Sequence, residues 1–124
     1  RSRDGVTLAD LREQLEHNLR VRDMVSEVNE LVVRIESVRR RLGSDPQGAA
    51  ADTLARANAV RAKLVTPPVR YSKPELQAHI QYLYTLTTGA QQKIGRDAVE
   101  RYRQLRSELD AVKREAEGVI GGSR

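Results

Sequence analysis

The chain has 124 residues, 39% of them hydrophobic, with no Phe, no Trp and four Tyr, so a single domain's core must be built from Leu, Val, Ile and Ala. Such side chains suit interdigitating helices rather than a β-sandwich or an aromatic-lined enzyme cleft. The lack of Cys excludes disulfides and thiolate metal sites, and the formal charge of +5 is thinly spread: residues 1–62 hold 11 basic and 10 acidic side chains, residues 63–124 hold 11 and 7.

Interleaved charge of this kind marks solvated helix faces and favours acidic surfaces only weakly. No apolar run approaches the roughly 20 residues of a membrane span, and no signal peptide is recognisable. The opening RSRDG reads as the start of a processed chain or of one piece of a longer protein.

The first predicted helix opens at VTLADL. Thr7 is its N-cap, Asp10 reaches back from three residues on, and Val6 and Leu11 are spaced for a hydrophobic staple. Beyond it, Val21, Met24, Val28, Leu31, Ile35, Val38 and Leu42 recur at alternating spacings of three and four, which keeps one stripe facing a partner. Leu8, Leu11 and Leu15 form an earlier stripe in another register, so the pattern slips near Asn18. From 8 to 42 the helix is a rod of roughly 50 Å.

Gly43 suits the left-handed residue that closes this helix, and Ser44 and Pro46 suit a restart. A second, Ala-rich helix is expected over about 47–65, turning Ala51, Leu54, Ala57 and Leu64 to the core. VTPPVRYS is a rigid connector, because paired prolines exclude helix at and before them. YSKPEL repeats the first start signal: Ser72 caps, Glu75 lies three residues on, and Tyr71 and Leu76 staple. The third helix, about 73–88, presents Leu76, Ile80, Leu83 and Thr87 on one face. The fourth, about 97–119, carries Ala98, Tyr102, Leu105, Leu109, Val112, Ala116 and Val119 before GVIGGSR frays. The fold class is therefore all-α: an antiparallel up-down bundle of three to four helices with long first and last members, in one domain.

The stretch TTGAQQKIGRD, Thr87 to Asp97, tests for a phosphate loop and fails. A Walker loop needs G-x-x-x-x-G-K-[ST] between strand and helix; here no hydroxyl follows Lys93 and no strand precedes. Gly89 reads as the closing residue of the third helix, with positive φ, and Asp97 as the cap of the fourth. His17 and His79 lack metal-ligand partners: Glu13 and His17 lie one turn apart, but two ligands are too few for a closed zinc site. Both histidines read as surface or boundary residues, His79 one turn from Glu75. The acids, including Glu27, Glu30, Glu36, Glu108 and Glu115, sit between basic residues on exposed faces, without the crowding that shifts a catalytic pKa. No G-x-S-x-G or H-E-x-x-H motif occurs.

Arg39, Arg40 and Arg41 form the densest basic cluster. Without stacking aromatics nearby, a cation cluster at a helix C-terminus reads first as a complement to the macrodipole and second as a phosphate contact. Tyr82 and Tyr84 point about 200° apart on a helix, so one packs inward near Leu83 and the other presents its ring.

Two stretches, VTLADLREQLEHNLRVRDMVSEVNELVVRIESVRRRL and YSKPELQAHIQYLYTLTTGAQQKIGRDAVERYRQLRSELDAV, with the signatures QKIGRD and SKPEL, resemble the helical C-terminal region of secreted bacterial sortilin-like, BNR-repeat "glycosyl hydrolase" β-propeller proteins. The resemblance spans about residues 6–113. It implies an extracytoplasmic domain with a packing or docking role; any hydrolase activity of that family would lie in a propeller that is not in this chain, and no family active-site residue maps here.

The reading that results is a non-catalytic helical bundle that mediates protein–protein contact, as the terminal domain of a secreted propeller protein or as a subunit of a larger extracytoplasmic assembly. No cofactor, metal or small-molecule substrate is expected. The expected contact residues are Tyr84, Lys93 and Arg96 near the break, with Arg39, Arg40 and Arg41 as a second patch. The alternative is a basic module that binds nucleic acid or an acidic membrane surface.

Overall fold

A computed structural model of the chain describes residues 7–66, 74–89 and 96–122, with side chains placed through 86 in the second of these segments and through 121 in the last. These residues form four helices, α1 (Leu8–Leu42), α2 (Ala49–Leu64), α3 (Leu76–Gly89) and α4 (Arg96–Gly122), and no strand is found among them. At 1.5 Å per residue α1 is about 52 Å long and α4 about 40 Å.

The start of α1 follows its sequence signal. Thr7 is extended, its hydroxyl accepts from the Asp10 backbone N–H at 3.1 Å, and its own N–H donates to the Asp10 carboxylate at 3.0 Å. Two otherwise orphan donors are thereby satisfied. At the other end Gly43 adopts φ 80, and its N–H returns to the Arg40 carbonyl at 3.2 Å, a conformation glycine takes at little cost.

The restart differs from expectation. Ser44 and Pro46 do not cap α2; the helix opens after Gly48, at φ 57 and with no side-chain cap. The positive φ needed to swing the chain back falls on the residue without a Cβ, so the cap position went to the glycine. α2 ends at Leu64, where the Val65 N–H bonds the Arg61 carbonyl at 2.9 Å.

The expected cap and staple of the third helix, Ser72 with Tyr71, lie outside the described residues. α3 itself begins at Leu76, about one turn after the expected start, and is preceded by a tie across the connector: the Glu75 backbone N–H donates to the Thr66 hydroxyl at 3.0 Å. Gly89 is the last residue of α3, inside the helix rather than beyond it. Asp97 is likewise not a cap. α4 starts at Arg96 and Asp97 sits in its first turn, where a carboxylate meets the positive end of the helix dipole. The expected fray at the end does not occur by Val119; α4 continues through Ile120 and Gly121 to Gly122, because Ile120 still packs against the core.

The core follows the predicted stripes. From α1 it takes Val21, Met24, Val28, Leu31, Ile35 and Val38; from α2 Ala57, Val60 and Leu64; from α3 Leu76, Ile80 and Leu83; from α4 Leu105, Leu109, Val112, Ala116 and Val119. Leu42 and Tyr102 pack at its edge, and Ala51, Leu54 and Ala98 are half-buried. Thr87 belongs to α3, with a side chain outside the described set.

Polar pairs fix how the helices lie along α1. Arg39 bonds Asn58, Glu36 bonds Arg61 and Asn29 bonds Gln77, so the partners on α2 and then α3 advance as α1 descends. On the other flank His17 meets Tyr102, Glu27 meets Arg106 and Lys113, and Arg34 meets Glu117; these α4 partners ascend with α1. Lys63 reaches Glu115 at 2.7 Å and ties α2 to α4. Thus α2 and α3 occupy successive levels of the same flank.

Candidate functional site

The expected contact residues do not gather into one patch. Arg39 is half-buried and held by Glu36 at 2.7 Å and by Asn58 at 2.8 Å. Arg40 is exposed and reaches the Ser37 hydroxyl at 3.4 Å, and Arg41 is exposed at the last turn of α1. This cluster lies at the opposite end of α1 from Arg96, which is exposed at the start of α4. Lys93 is outside the described residues. Of the two tyrosines, Tyr84 packs against the core and Tyr82 presents its ring, 65% exposed; the sequence argument set them on opposite sides, and the structure reverses the one expected to be outermost.

Charge is spent mainly between helices. Glu27 on α1 accepts from Arg106 through both oxygens, at 2.6 and 2.8 Å, and from Lys113 at 2.9 Å. Arg106 in turn bonds Asp110 one turn on. Hydrogen bonds from Arg106, helped by Lys113, outweigh partial burial and hold the Glu27 carboxyl down at about 2. Glu36 is a smaller version: burial opposes its charge, but Arg39 and Arg61 overcome that and keep its pKa below the ordinary carboxylate value. Two-carboxylate acid–base work needs one carboxyl pushed up; both of these are pushed down.

The sequence reading placed Glu27 and Glu36 on exposed faces without crowding, whereas both are half-buried among cations, and two further features escaped it. His17 is buried, 3% exposed, edge-on to Tyr102 with ring centroids 6.1 Å apart, not at the surface. Its Nε2 and the Oδ1 of neighbouring Asn18 find no hydrogen-bond partner among the described residues, and burial, with Arg20 second, holds its pKa below the usual imidazole value. No group of three or more metal-capable side chains occurs among the described residues. A cavity of about 400 Å³ opens beside the break between α2 and α3, lined by Lys63, Glu75, Leu76, His79, Glu108 and Val112. Its charged lining is of mixed sign, Lys63 with Glu75 and Glu108.

The second feature is an outward row of leucines. Leu8, Leu11, Leu15 and Leu19 are 73%, 52%, 58% and 39% exposed. At 100° per residue their mean direction lies about 160° from the face that buries His17, Val21 and Met24. The register change near Asn18 is therefore not a slip in the core stripe. It separates two faces of one helix. No residue from Leu8 to Glu16 is buried, so the first turns of α1 contribute nothing to the core, and their leucines point away from it. The signal was in the sequence as the three-residue offset between Leu15 and Asn18; what it meant required knowing where the other helices stop.

No family model, no curated protein and no solved structure matches this chain.

Proposed function

We propose that this bundle is a non-catalytic module for protein–protein contact and that its contact face is the leucine row on the outer side of α1. The arrangement we infer is a three-rod, up–down–up bundle in which α2 and α3 together form a broken middle rod and α1 and α4 flank it. The observation that carries the reading is the row itself: four leucines on one face, opposite the core. Scattered surface leucines are ordinary; these four are contiguous on one face of one helix, and contiguous apolar patches are often functional. Placement as the terminal domain of a secreted propeller protein, or as a subunit of a larger extracytoplasmic assembly, belongs to the same proposal and follows from the resemblance.

The test places a photo-activated cross-linker at Leu15 and, as a control, at Ser107 on the exposed side of α4. Discrete protein adducts are expected from position 15 and not from 107. Lipid adducts, or none, from position 15 would refute the reading. Binding to nucleic acid or an acidic membrane predicts instead an affinity that falls steeply with salt. Against it stands the pairing of Arg39, Arg61, Arg106 and Lys113, which all face carboxylates.

A further inference from the structure

We propose that His17 is a pH-sensitive latch: on acidification it releases the first turns of α4 from α1, while the rest of the bundle stays packed. The latch does not depend on what covers the leucine row.

The position of His17 makes the effect local. No side chain from Leu8 to Glu16 on α1 is buried, and none from Arg96 to Gln104 on α4. On α3 the described side chains beyond Leu83 are half-buried or exposed. His17, 3% exposed, is thus the outermost buried side chain of α1. The part of α4 that it meets through Tyr102 is held only by half-buried residues, Ala98, Val99, Arg101 and Tyr102. Segments with so few buried contacts open ahead of global unfolding. Farther along, Glu27 binds Arg106 and Lys113, and Arg34 binds Glu117. Glu27 lies about 15 Å from His17 along the helix. Its carboxyl, held at about 2, stays ionised throughout the range in which an imidazole titrates, so this second clamp persists when the first lets go.

The ring is badly placed to carry a proton. A neutral imidazole has one donor and one acceptor nitrogen, whereas the imidazolium has two donors and a charge. Nε2 is buried without a hydrogen-bond partner among the described residues, so protonation leaves a charged donor unanswered in the core. The surrounding groups do not offset that cost. On α1, Arg20 repels a second cation. Asp10 is engaged by the Thr7 N–H, and Glu13 and Glu16 are exposed, with Glu16 turned to Arg20. On α4, Arg101 bonds Gln104, and Arg106 bonds Glu27 and Asp110. α3 carries no Asp, Glu, Lys or Arg. Of its titratable side chains, His79 lines the cavity beside Lys63, Tyr84 packs against the core and Tyr82 is turned outward. Once released, the imidazolium gains water and has Glu13 one turn back on its own helix. The proton therefore binds the open form more tightly. Below the ordinary imidazole value of 6.5, each pH unit multiplies the ratio of open to closed molecules by up to about tenfold, until the closed form titrates too.

The chain has no Cys, so paired spin labels on introduced cysteines test this in the full chain. One pair sits at Arg12 and Arg103, across the latch, and a control pair at Val33 and Arg114, beside the second clamp; all four positions are exposed. Between about pH 7.5 and about pH 5, the first pair should gain a second, longer distance while the control pair keeps one. His17→Phe retains a ring against Tyr102 without a titrating nitrogen and should keep the first pair closed at both pH values. In a His79→Gln background, where His17 is the sole histidine, its ring resonances should titrate with the midpoint of the distance change. A 12–103 distance that does not respond to pH overturns the latch. So does a control pair that changes together with it, because the loosening is then global. A response that survives in His17→Phe overturns it as well. Should His17→Phe fail to fold, the two midpoints decide: coincidence supports the latch and separation refutes it.

Discussion

The Glu27 hub gives the sharpest test of what holds α1 to α4. Its carboxylate accepts three charge-assisted hydrogen bonds, two from Arg106 and one from Lys113, and its pKa is drawn down from 4.5 to about 2. That fall corresponds to roughly 3 kcal/mol of preference for the charged form. The Glu27 side chain is 30% exposed, and solvent screening on that scale trims the contribution to about 2 kcal/mol. Glu27→Gln retains the shape and one acceptor but removes the charge, and leaves Asp110 as the carboxylate that Arg106 bonds.

The expected loss at pH 7 is therefore about 2 kcal/mol, read as a shift in urea midpoint at unchanged slope. The sign with pH follows from linkage. A carboxyl whose folded pKa is depressed stabilises above its unfolded value and loses that contribution as pH falls through the folded value. The difference between wild type and Glu27→Gln should thus hold from pH 7 to about 4.5 and shrink toward zero near pH 2. A variant as stable as wild type at pH 7, or a difference that stays constant down to pH 2, would show that the bridge is ornamental.

The other predictions concern packing, backbone and the buried imidazole. Leu31→Asp puts a charge at a core position that is 3% exposed and should cost at least about 4 kcal/mol, seen as loss of the cooperative melt. Gly118 lies inside α4, and a Cβ there would meet only the Arg56 guanidinium at an ordinary 3.5 Å; Gly118→Ala should add about 0.5–1 kcal/mol, raising Tm by a few degrees. Gly48→Val, at φ 57, should cost about 1–2 kcal/mol by forcing a branched side chain into left-handed backbone, measured by the same urea titration. His17 has a lowered pKa, so stability should fall as pH drops below about 6.5, a window separate from that of Glu27; His17→Leu should flatten that limb, and an unchanged limb would place the titration elsewhere.

How much of this was legible in the sequence depends on what each signal measures. Periodicity reports which face of a helix is apolar, and the faces of α1 beyond Val21, of α3 and of α4 were read correctly because each is buried along most of its length. Caps were legible where a side chain makes them, as at Thr7, and illegible where backbone freedom makes them, as at Gly48. The relative level of the helices was hidden. Nothing in single-helix spacing says that α2 and α3 follow one another along α1, because that is fixed by long-range pairs such as Asn29 with Gln77 and Glu36 with Arg61. His17 was misplaced for the same reason: its burial comes from Tyr102 on α4, 85 residues away in the chain.

The leucine row shows how such blindness bears on function. Had Leu8, Leu11 and Leu15 simply prolonged the core stripe, they would lie on the face of Val21 and Met24, and the opposite face would be charged. The reverse holds. The core-side positions of the first turns are Asp10, Glu13 and Gln14, and the apolar positions look outward, so amphipathicity inverts midway along a continuous helix. Folding of this bundle alone gives no reason for the inversion, since exposing leucine to water stabilises nothing. The helix keeps one apolar face for its own core and turns another outward, which is the observation the proposed contact reading rests on. Exposure of four leucines also carries a solubility cost at working concentration. On the proposed contact reading, substitutions in this row should leave the melt untouched, because none of its leucines is in the core, and change what the protein binds.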